Sequence, residues 1–548
     1  MVRAAPAPPA TATHDPHDRV HERRWYTLAV LCLSLVLIVM DNTILNVAIP
    51  SLVRDLGASN SQLQWIIDSY TLVFAGLLLT AGAFGDRYGR KLALRIGLVL
   101  FALASVGSAL ASTPNQLIAT RGLLGIGGAL IMPSTLSIIT NTFRDPRERG
   151  RAIAIWAGFS GLGVAIGPLV GGFLVEHFSW NAVFWVNLPI VAFALVAGHF
   201  FVPESRDPRE PRLDLVGAGL SIVALGSLIF GIIEGPSKGW TDPLVVGSFF
   251  LGVVAGVAFL LWEWKAPNPM LELRFFRNPR FSVANGAVTL TFFAMFGSMF
   301  LMTQYWQFVH GYSPLEAGVR MLPYAGVMMV AAPMSARVVE RLGTKIVVGG
   351  GLVIIAVSLF AVSFAEVDSS YWSVMGRMML MALGMGFVMA PSTESVMGSL
   401  PREKAGVGSA VNDTTRQVGG ALGVAVIGSV VASVYADRIV AAASSLGLAG
   451  PTLEAAKASL GGALAVAGEA GPGGAALVDA AREGFVDALS AGLRIGGVVV
   501  LVASAVVFAF LPSHAYTPAA SPDELPSGDP GLGPEPAQSD GLAPEPAS

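Results

Sequence analysis

The sequence predicts an all-helical integral membrane protein with 14 transmembrane helices. Of its 548 residues, 53% are hydrophobic and only 13% are charged, whereas soluble domains contain about 25% charged residues. Fourteen apolar segments approach or exceed the roughly 20 residues that a helix needs to cross a bilayer. They lie at 27–49, 61–82, 93–112, 115–138, 152–174, 182–202, 213–233, 244–264, 282–308, 316–337, 346–365, 371–396, 406–434 and 489–511.

The distribution of Lys and Arg predicts the orientation of these helices. An even number of spans places both termini on one side of the membrane. The segments on that side contain 24 of the 34 Lys and Arg residues, the opposite segments contain 5, and 5 lie within spans. Because Lys and Arg are retained in cytoplasmic loops, we expect a multi-pass protein of the cell inner (cytoplasmic) membrane with both termini in the cytoplasm.

Three local patterns recur at an offset of about 255 residues, which indicates an internal repeat. The Asp-Arg-Tyr-Gly-Arg-Lys run at 86–91 returns as Glu-Arg-Leu-Gly-Thr-Lys at 340–345, and Pro-Arg-Glu-Arg at 146–149 returns at 401–404. The third pattern is Gly-x-x-x-Gly, at 163 and again at 419. Two parallel six-helix halves are therefore expected. The predicted organisation is a bundle at 25–205, two additional helices at 206–265 and a second bundle at 266–512.

The remaining segments and the bulk composition exclude several classes of function. Residues 1–24 and 513–548 are expected to be disordered and cytoplasmic, and 437–488 to form a long outer loop. The net charge of −3 gives no reason to expect nucleic acid. The single Cys32 and the spacing of the seven His residues predict neither disulfides nor a metal site. No catalytic pattern and no ATP-binding Walker motif is present in the sequence, so neither an enzyme nor an ATP-driven pump is expected, and no cofactor is predicted.

Two acidic residues interrupt the first two spans. Asp41 and Asp68 lie well inside apolar segments, where a carboxylate costs on the order of 2.5–3.5 kcal/mol. Arg121 in the fourth span lies at a comparable depth. These three residues could exchange a proton for a cationic substrate. The simpler interpretation is a static ion pair that holds helices together.

The C-terminal half carries weaker candidates for proton or cation coupling. Glu394 and Asp413 lie near the inner ends of the twelfth and thirteenth spans. Arg416 is one turn beyond Asp413, so these two side chains could simply pair with each other. Candidates for substrate contact are Trp65 and Tyr70, through cation–π interactions, together with Asn46. Most aromatic residues near span ends are, however, interfacial.

Two motifs extend these observations. The loop between the second and third spans combines turn glycines with charges, at Gly82, Asp86, Arg87, Gly89, Arg90 and Lys91. The fifth span carries a glycine at every fourth position, which permits close helix approach, and its motif residues are Gly163, Gly167, Pro168, Gly171 and Gly172. Together these motifs resemble the major facilitator superfamily, specifically its 14-helix drug:proton antiporter family. The resemblance implies that the loop is a gate latch and that the fifth-span motif favours antiport. Positive-inside anchoring and plain helix packing are the simpler roles.

The resemblance implies a proton-coupled antiporter, driven by the proton gradient, that exports lipophilic and cationic drugs by alternating access. Its expected partners are a small lipophilic molecule, protons and the lipid bilayer, and it is expected to be a monomer. One alternative is an exporter of the same fold dedicated to one endogenous metabolite or antibiotic. A second is a membrane sensor or scaffold that transports nothing. The fifth-span motif disfavours an uptake symporter.

Overall fold

The computed structural model describes residues 16–143, 145–206, 213–267, 269–400, 405–446, 448–469 and 474–512. All regular secondary structure in these ranges is helical. Thirteen of the described helices are long and apolar enough to cross a membrane. The predicted fifth span coincides with a further helix of 32 residues, so every predicted span corresponds to one helix or to two consecutive helices. Below, outer and inner denote the two membrane sides as the Lys and Arg distribution predicts them.

The helices follow the predicted order of bundle, additional pair and bundle. The described part of the first bundle contains α1 (Pro16–Leu56), α2 (Asn60–Tyr88), α3 (Arg90–Ala109), α4 (Pro114–Thr142), α5 (Pro146–His177), α6 (Ala182–Trp185) and α7 (Asn187–Phe201). The additional pair is α8 (Leu215–Lys238) and α9 (Pro243–Lys265). The second bundle follows a short 3-10 turn at Leu273–Arg277 and contains α10 (Pro279–Gln304), a π-helical turn at Tyr305–Val309, α11 (Pro314–Arg320), α12 (Leu322–Leu342), α13 (Thr344–Val362), α14 (Tyr371–Gly398), α15 (Ala405–Leu446), α16 (Gly450–Ala458), α17 (Leu460–Glu469) and α18 (Gly474–Phe510).

Polar side chains cap three of the helices that begin at the outer surface. Ser59, Thr113 and Ser370 each accept a hydrogen bond from a backbone N–H of the first turn of α2, α4 and α14, respectively. Such caps satisfy donors that have no partner within the helix. In the apolar surroundings of a membrane they therefore fix where each span begins.

Glycines allow α4 to pack closely between its neighbours. A Cβ at Gly125 would lie 2.6 Å from the carbonyl oxygen of Tyr70 in α2, and one at Gly127 would lie 2.9 Å from the backbone nitrogen of Phe101 in α3. Any larger residue would force these backbones apart. The close packing carries Arg121, one turn before Gly125, into the interior of the first bundle.

The two bundles contact each other most extensively at their outer ends. α5 packs against α11, and α2 packs along α15. Gln307 donates from Nε2 to the carbonyl oxygen of Val47 at 3.0 Å, and the Leu315 N–H donates to Glu176 Oε2 at 3.1 Å. These hydrogen bonds join opposite halves across the outer side. The conformation is therefore one in which the outer side is closed.

The additional pair lies over the contact between the two halves. α8 packs against both α2 and α15. It buries Ile229 and Ile233 against Leu72 of α2 and against Ala421 and Ala425 of α15. α9 packs mainly on α8 and leaves most of its own apolar surface exposed. Thus α8 covers the line where α2 meets α15, which we call the α2–α15 seam.

The structure differs from the predicted organisation in two places. Helix α1 begins at Pro16, so residues 16–24, which were expected to be disordered, are helical. The segment 437–488 was expected to be a loop, but its described residues extend α15, form α16 and α17, and start α18. Ala and Leu in this segment bury apolar surface, and Gly461 packs against Val53 and Phe308 at the outer ends of both bundles. The predicted disorder at 1–15 and 513–548 lies outside the described residues.

Candidate transport site

Asp41 and Arg121 form a buried ion pair inside the first bundle. Arg121 Nη1 donates to Asp41 Oδ2 at 2.5 Å, and the two side chains are 2% and 0% exposed. Arg121 Nε donates to the carbonyl oxygen of Ile66 at 3.1 Å, and its guanidinium lies 4.5 Å from the centre of the Tyr70 ring. The pair joins α1, α2 and α4.

Asn187 completes this network from the start of α7. Its amide donates to Asp41 Oδ1 at 3.1 Å and to the Ser105 hydroxyl of α3 at 3.2 Å. Both oxygens of Asp41 are therefore satisfied, as a buried carboxylate requires. We call Asp41, Arg121, Asn187 and Ser105 the Asp41 network. All its members belong to the first bundle, which is the arrangement that a static structural pair would have.

Asp68 lies apart from this network. It is fully buried, and neither of its carboxyl oxygens has a hydrogen-bond partner. Residues 64, 68, 71 and 75 share one face of α2. On that face Gln64 packs against Gly428 of α15, and Thr71 and Ala75 line a small cavity together with residues of α8 and α15. Asp68 therefore lies in the α2–α15 seam, between the two halves, and the expected cluster with Arg121 does not form.

The three candidates for substrate contact point in different directions. Trp65 Nε1 donates to Glu234 Oε1 of α8 at 3.2 Å, so this ring lies against the additional pair. Tyr70 is fully buried inside the first bundle beside Arg121. Asn46 donates to the Asn42 carbonyl oxygen within α1. Five residues along a helix turn a side chain by about 140°, so Trp65 and Tyr70 do not line one pocket in this conformation.

The candidates in the second half are less deeply buried. Asp413 pairs with Arg416 at 3.5 Å, as the spacing suggested, and these side chains are 15% and 25% exposed. Arg416 also donates to the Thr393 hydroxyl of α14 at 3.1 Å and lies 5.7 Å from the Phe292 ring centre. Glu394, next to Thr393, is exposed. These residues place mixed charge and an aromatic ring at the inner half of the second bundle.

The loop at 82–91 bonds within the first bundle. Asp86 accepts from Arg90 Nε at 2.8 Å, and Arg90 Nη1 reaches the Ser137 carbonyl oxygen of α4 at 3.4 Å. The backbone N–H of Lys91 donates to the side chain of Glu204, which follows α7. Its Nζ donates to the carbonyl oxygen of His199, which lies within α7. Gly89 has a φ of +121°, a conformation that favours glycine. Gly82 faces Pro133 of α4, and Arg87 lies over the Tyr88 ring.

The glycines of α5 divide between two neighbours. A Cβ at Gly163 would lie 2.9 Å from Val39, and one at Gly171 would lie 2.7 Å from Ile44; both neighbours are in α1. Gly167 lies between them, against Met40 and Thr43. Pro168 and Gly172 instead face Gly318 and Leu315 of α11, across the closed outer side. One face of the motif therefore holds the bundle together, and the adjacent face contacts the opposite half.

The same packing recurs in the second half. Gly419 and Gly423 of α15 lie against Thr289 and Phe293 of α10, where a Cβ would approach their Cα atoms to 3.0 and 2.8 Å. In each half, glycines of the fifth helix thus contact the first helix. This correspondence supports the repeat that the spacing predicted.

The sequence analysis missed Asn187 and Glu234. A polar residue inside the apolar segment 182–202 was a signal for Asn187, because intramembrane polar groups need partners. Glu234 lies at the outer end of a span, where charged residues are ordinary. In the described part of the chain, no three His, Cys, Asp or Glu residues are placed to hold a metal ion.

Comparison with known proteins identifies relatives along most of the chain. A tetracenomycin C resistance and export protein of Streptomyces glaucescens is 35% identical over 524 residues, which are 94% of this chain and 96% of the relative. The multidrug efflux pump LfrA of Mycolicibacterium smegmatis is 36% identical over 490 residues, or 89% and 96% of the two chains. The methyl viologen resistance protein SmvA of Salmonella typhimurium is 35% identical over 487 residues, or 88% and 97%.

The family follows from a match to a family profile. Residues 31–424 match the sequence profile of the Major Facilitator Superfamily. This range begins in α1 and ends in α15, and so includes parts of both bundles. Together with the helical architecture and the relatives, it confirms the resemblance found in the motifs. The chain therefore belongs to the Major Facilitator Superfamily and is a multi-pass membrane transporter, not an enzyme.

Proposed function

We propose that the protein is a proton-coupled antiporter that exports lipophilic, cationic drugs by alternating access. It would act as a monomer in the cytoplasmic membrane, with both termini in the cytoplasm. The observation that carries the proposal is Asp68, a fully buried carboxyl group without a partner at the contact between the two halves. The names of the relatives support an exporter, and methyl viologen is a cation.

A physical argument connects Asp68 to proton transport. Burying an ionised carboxylate without a partner is far more costly than burying the neutral acid. Closing α2 against α15 on the outer side therefore requires that Asp68 first bind a proton. When the outer side opens, water reaches the seam, and the carboxylate can exchange its proton with the outside. Closure of the outer side would carry a proton that enters there inward. The transfer would be completed when water enters the inner half of the seam and Asp68 releases the proton to the inner side as the cation binds.

The exported cation would be recognised on the inner side. The exposed Glu394 supplies negative charge there, Asp413 would do so when its pairing with Arg416 is released, and Phe292 supplies an aromatic face near Arg416. Cation–π contact and carboxylate charge together suit flat lipophilic cations. Release would follow when the outer side opens and a proton takes the place of the cation in the charge balance. No cofactor takes part in this cycle.

Transport in reconstituted vesicles tests the proposal. Purified protein would be placed in liposomes with an imposed pH gradient, and ethidium or methyl viologen flux would be measured with and without an uncoupler. We expect flux that requires the gradient and is lost with the uncoupler. Flux that is indifferent to the gradient would contradict proton coupling, and binding without any flux would favour a sensor.

An exporter dedicated to one compound is the second candidate. The tetracenomycin relative, whose name specifies a single antibiotic, favours it. Growth of a pump-deficient host carrying the gene would be compared across a panel of lipophilic cations and neutral aromatic antibiotics. Resistance to several unrelated cations supports the broad exporter, and resistance to one neutral compound alone supports the dedicated one.

A further inference from the structure

A pair of carboxyl groups lies at the inner end of the additional helices, away from the proposed transport site. Asp214 precedes α8, and its Oδ1 accepts from the backbone N–H of Gly217 at 2.7 Å. Trp262 Nε1 of α9 donates to the same oxygen at 2.9 Å and to Asp214 Oδ2 at 3.1 Å. The next residue, Glu263, is 3% exposed. Its Oε2 accepts from the backbone N–H of Leu271 at 2.9 Å.

The two carboxyl groups converge over Gly217. A Cβ at this glycine would lie 2.5 Å from Glu263 Oε1 and 2.6 Å from Asp214 Oδ2. Glu263 Oε1 is buried and has no hydrogen-bond partner. A side chain at 217 would therefore displace the two carboxyl groups from the space that they share.

No cation compensates this arrangement within the described residues. Neither carboxyl group forms an ion pair with any described Lys, Arg or His side chain. The nearby turn Leu273–Arg277 contributes Arg274 and Arg277, and the Arg277 guanidinium lies over the Trp264 ring at 5.5 Å. Lys265 on α9 is exposed. Glu263 is buried and Asp214 is half-buried, so two adjacent negative charges here repel each other, and this repulsion favours protonation of one of the two carboxyl groups.

We propose that Asp214 and Glu263 bind a single proton between them. An O–H on one carboxyl group would donate to the other, which satisfies Glu263 Oε1 and removes the repulsion between like charges. The ligand is a proton taken from the inner side, and the site is separate from Asp41, Asp68 and Asp413. This inference does not depend on the proposed transport function.

The proton would control how firmly the additional pair is held. Glu263 anchors Leu271 in the segment that leads into the second bundle, and the preceding Met270 contacts Thr80 of α2 at 3.9 Å. Asp214 starts α8, which covers the α2–α15 seam. Loss of the proton at high pH on the inner side would therefore loosen the inner end of α8 and α9 together with this connection.

Infrared spectroscopy of the purified full chain in lipid nanodiscs tests the site directly. We expect a protonated-carboxyl C=O band that disappears when the pH is raised from about 5 to about 9, within the range documented for buried acids. Glu263→Gln and Asp214→Asn should each remove the contribution of this pair. Both replacements can donate an amide N–H to the remaining carboxylate, so the fold should persist. Asp242→Asn is the matched control, since Asp242 starts α9 as Asp214 starts α8, and should leave the band unchanged.

Thermal unfolding provides a second readout that does not require transport. In the wild type the bound proton stabilises the folded state, so Tm should fall as the pH rises through the titration of the pair. This part of the pH dependence should be absent in Glu263→Gln. An unchanged band in both variants, or an equal pH dependence of Tm, would overturn the proposal. So would binding of Mg²⁺ to the wild type that both variants lack, because the pair would then be a cation site.

Discussion

Asp41 and Asp68 are both fully buried and both lie on helices of the first bundle, but their surroundings are opposite. Asp41 has an ion-pair partner and an amide donor, all within one bundle. Asp68 has no partner for either oxygen and faces the other half across the α2–α15 seam. A satisfied charge stabilises one arrangement of helices, whereas an unsatisfied group at a contact between two bodies changes its free energy when that contact opens.

The comparison assigns different roles to two residues that look equivalent in the sequence. The Asp41 network joins α1, α3, α4 and α7 and has no need to change during a rocking motion of the two halves. Asp68 gains access to water only if α2 and α15 separate. We therefore expect substitutions in the network to affect folding first, and substitutions at Asp68 to affect transport first.

The largest expected effect is on stability, from Arg121→Met. This change leaves Asp41 buried without a cation, and breaking a buried pair from one side costs about 3–5 kcal/mol. We expect a marked loss of Tm and of folded protein in detergent. Asp41→Asn combined with Arg121→Met removes both charges and should recover most of the loss. If Arg121→Met is no more harmful than Arg341→Met, a change at an exposed Arg, the network is not structural.

Asp68→Asn should have the second-largest effect, and on transport alone. Asparagine resembles the protonated acid in shape, so the closed seam should form and Tm should stay near that of the wild type. Because the residue can no longer release a proton, gradient-driven ethidium efflux should fall by about tenfold or more, within the range seen when a proton-transfer group is lost. Efflux is measured per amount of folded protein. Wild-type efflux in this variant would refute the coupling role.

The helices and their order were predictable because apolar length and Lys and Arg asymmetry are local properties of the sequence. The glycine spacing in α5 likewise predicted close packing, which occurs against α1. The depth of Asp41, Asp68 and Arg121 along their helices also follows from residue counting. Depth does not give direction around a helix, however, and that direction separates Asp68 from Arg121.

Long-range partners could not be predicted from local patterns. Asn187 is 146 residues from Asp41 in the chain, and their contact depends on how α7 packs against α1. The same limit applies to α8, whose own sequence shows only an apolar span. Its position over the seam depends on the surfaces of α2 and α15. These tertiary contacts determine which buried carboxyl group has an ion-pair or hydrogen-bond partner.

A bulky residue in place of Gly172 is expected to open the seam without changing Asp41 or Asp68. A Cβ at Gly172 would lie 2.6 Å from Leu315 Cα and 2.9 Å from Leu315 N, backbone atoms that cannot move aside. Gly172→Val should disfavour closure of the outer side by about 1–3 kcal/mol, the usual cost of overpacking. Gly158→Val on the same helix is the matched control, because its Cβ would meet nothing within 4 Å.

Thiol labelling measures the effect of Gly172→Val at the α2–α15 seam and at the Asp41 network. The only native thiol, Cys32, is buried and can be replaced by Ser. Gln64→Cys reports on the seam, and Ser105→Cys reports on the Asp41 network. With Gly172→Val, a maleimide added from the outside should label position 64 faster and leave position 105 unlabelled. Equal labelling of both positions would mean that the bundle itself has loosened, which contradicts the contrast between the two acids.

The smallest expected effect concerns His310, a titratable group beside the closed outer side. Its ring packs among Tyr305, Trp306 and Tyr312. Burial, followed by the charge of Arg482, lowers the pKa of His310 from its ordinary value of 6.5, with Asp368 acting in the opposite direction. The neutral ring is therefore favoured by folding. The stability this provides is complete above the ordinary pKa and declines as the pH falls below about 6.5. His310→Phe should thus reduce the acid-induced loss of Tm by no more than a few degrees.

An undiminished loss of Tm would assign that pH dependence to other groups. A change in labelling at position 64 without a change in Tm would show that His310 acts on the seam alone.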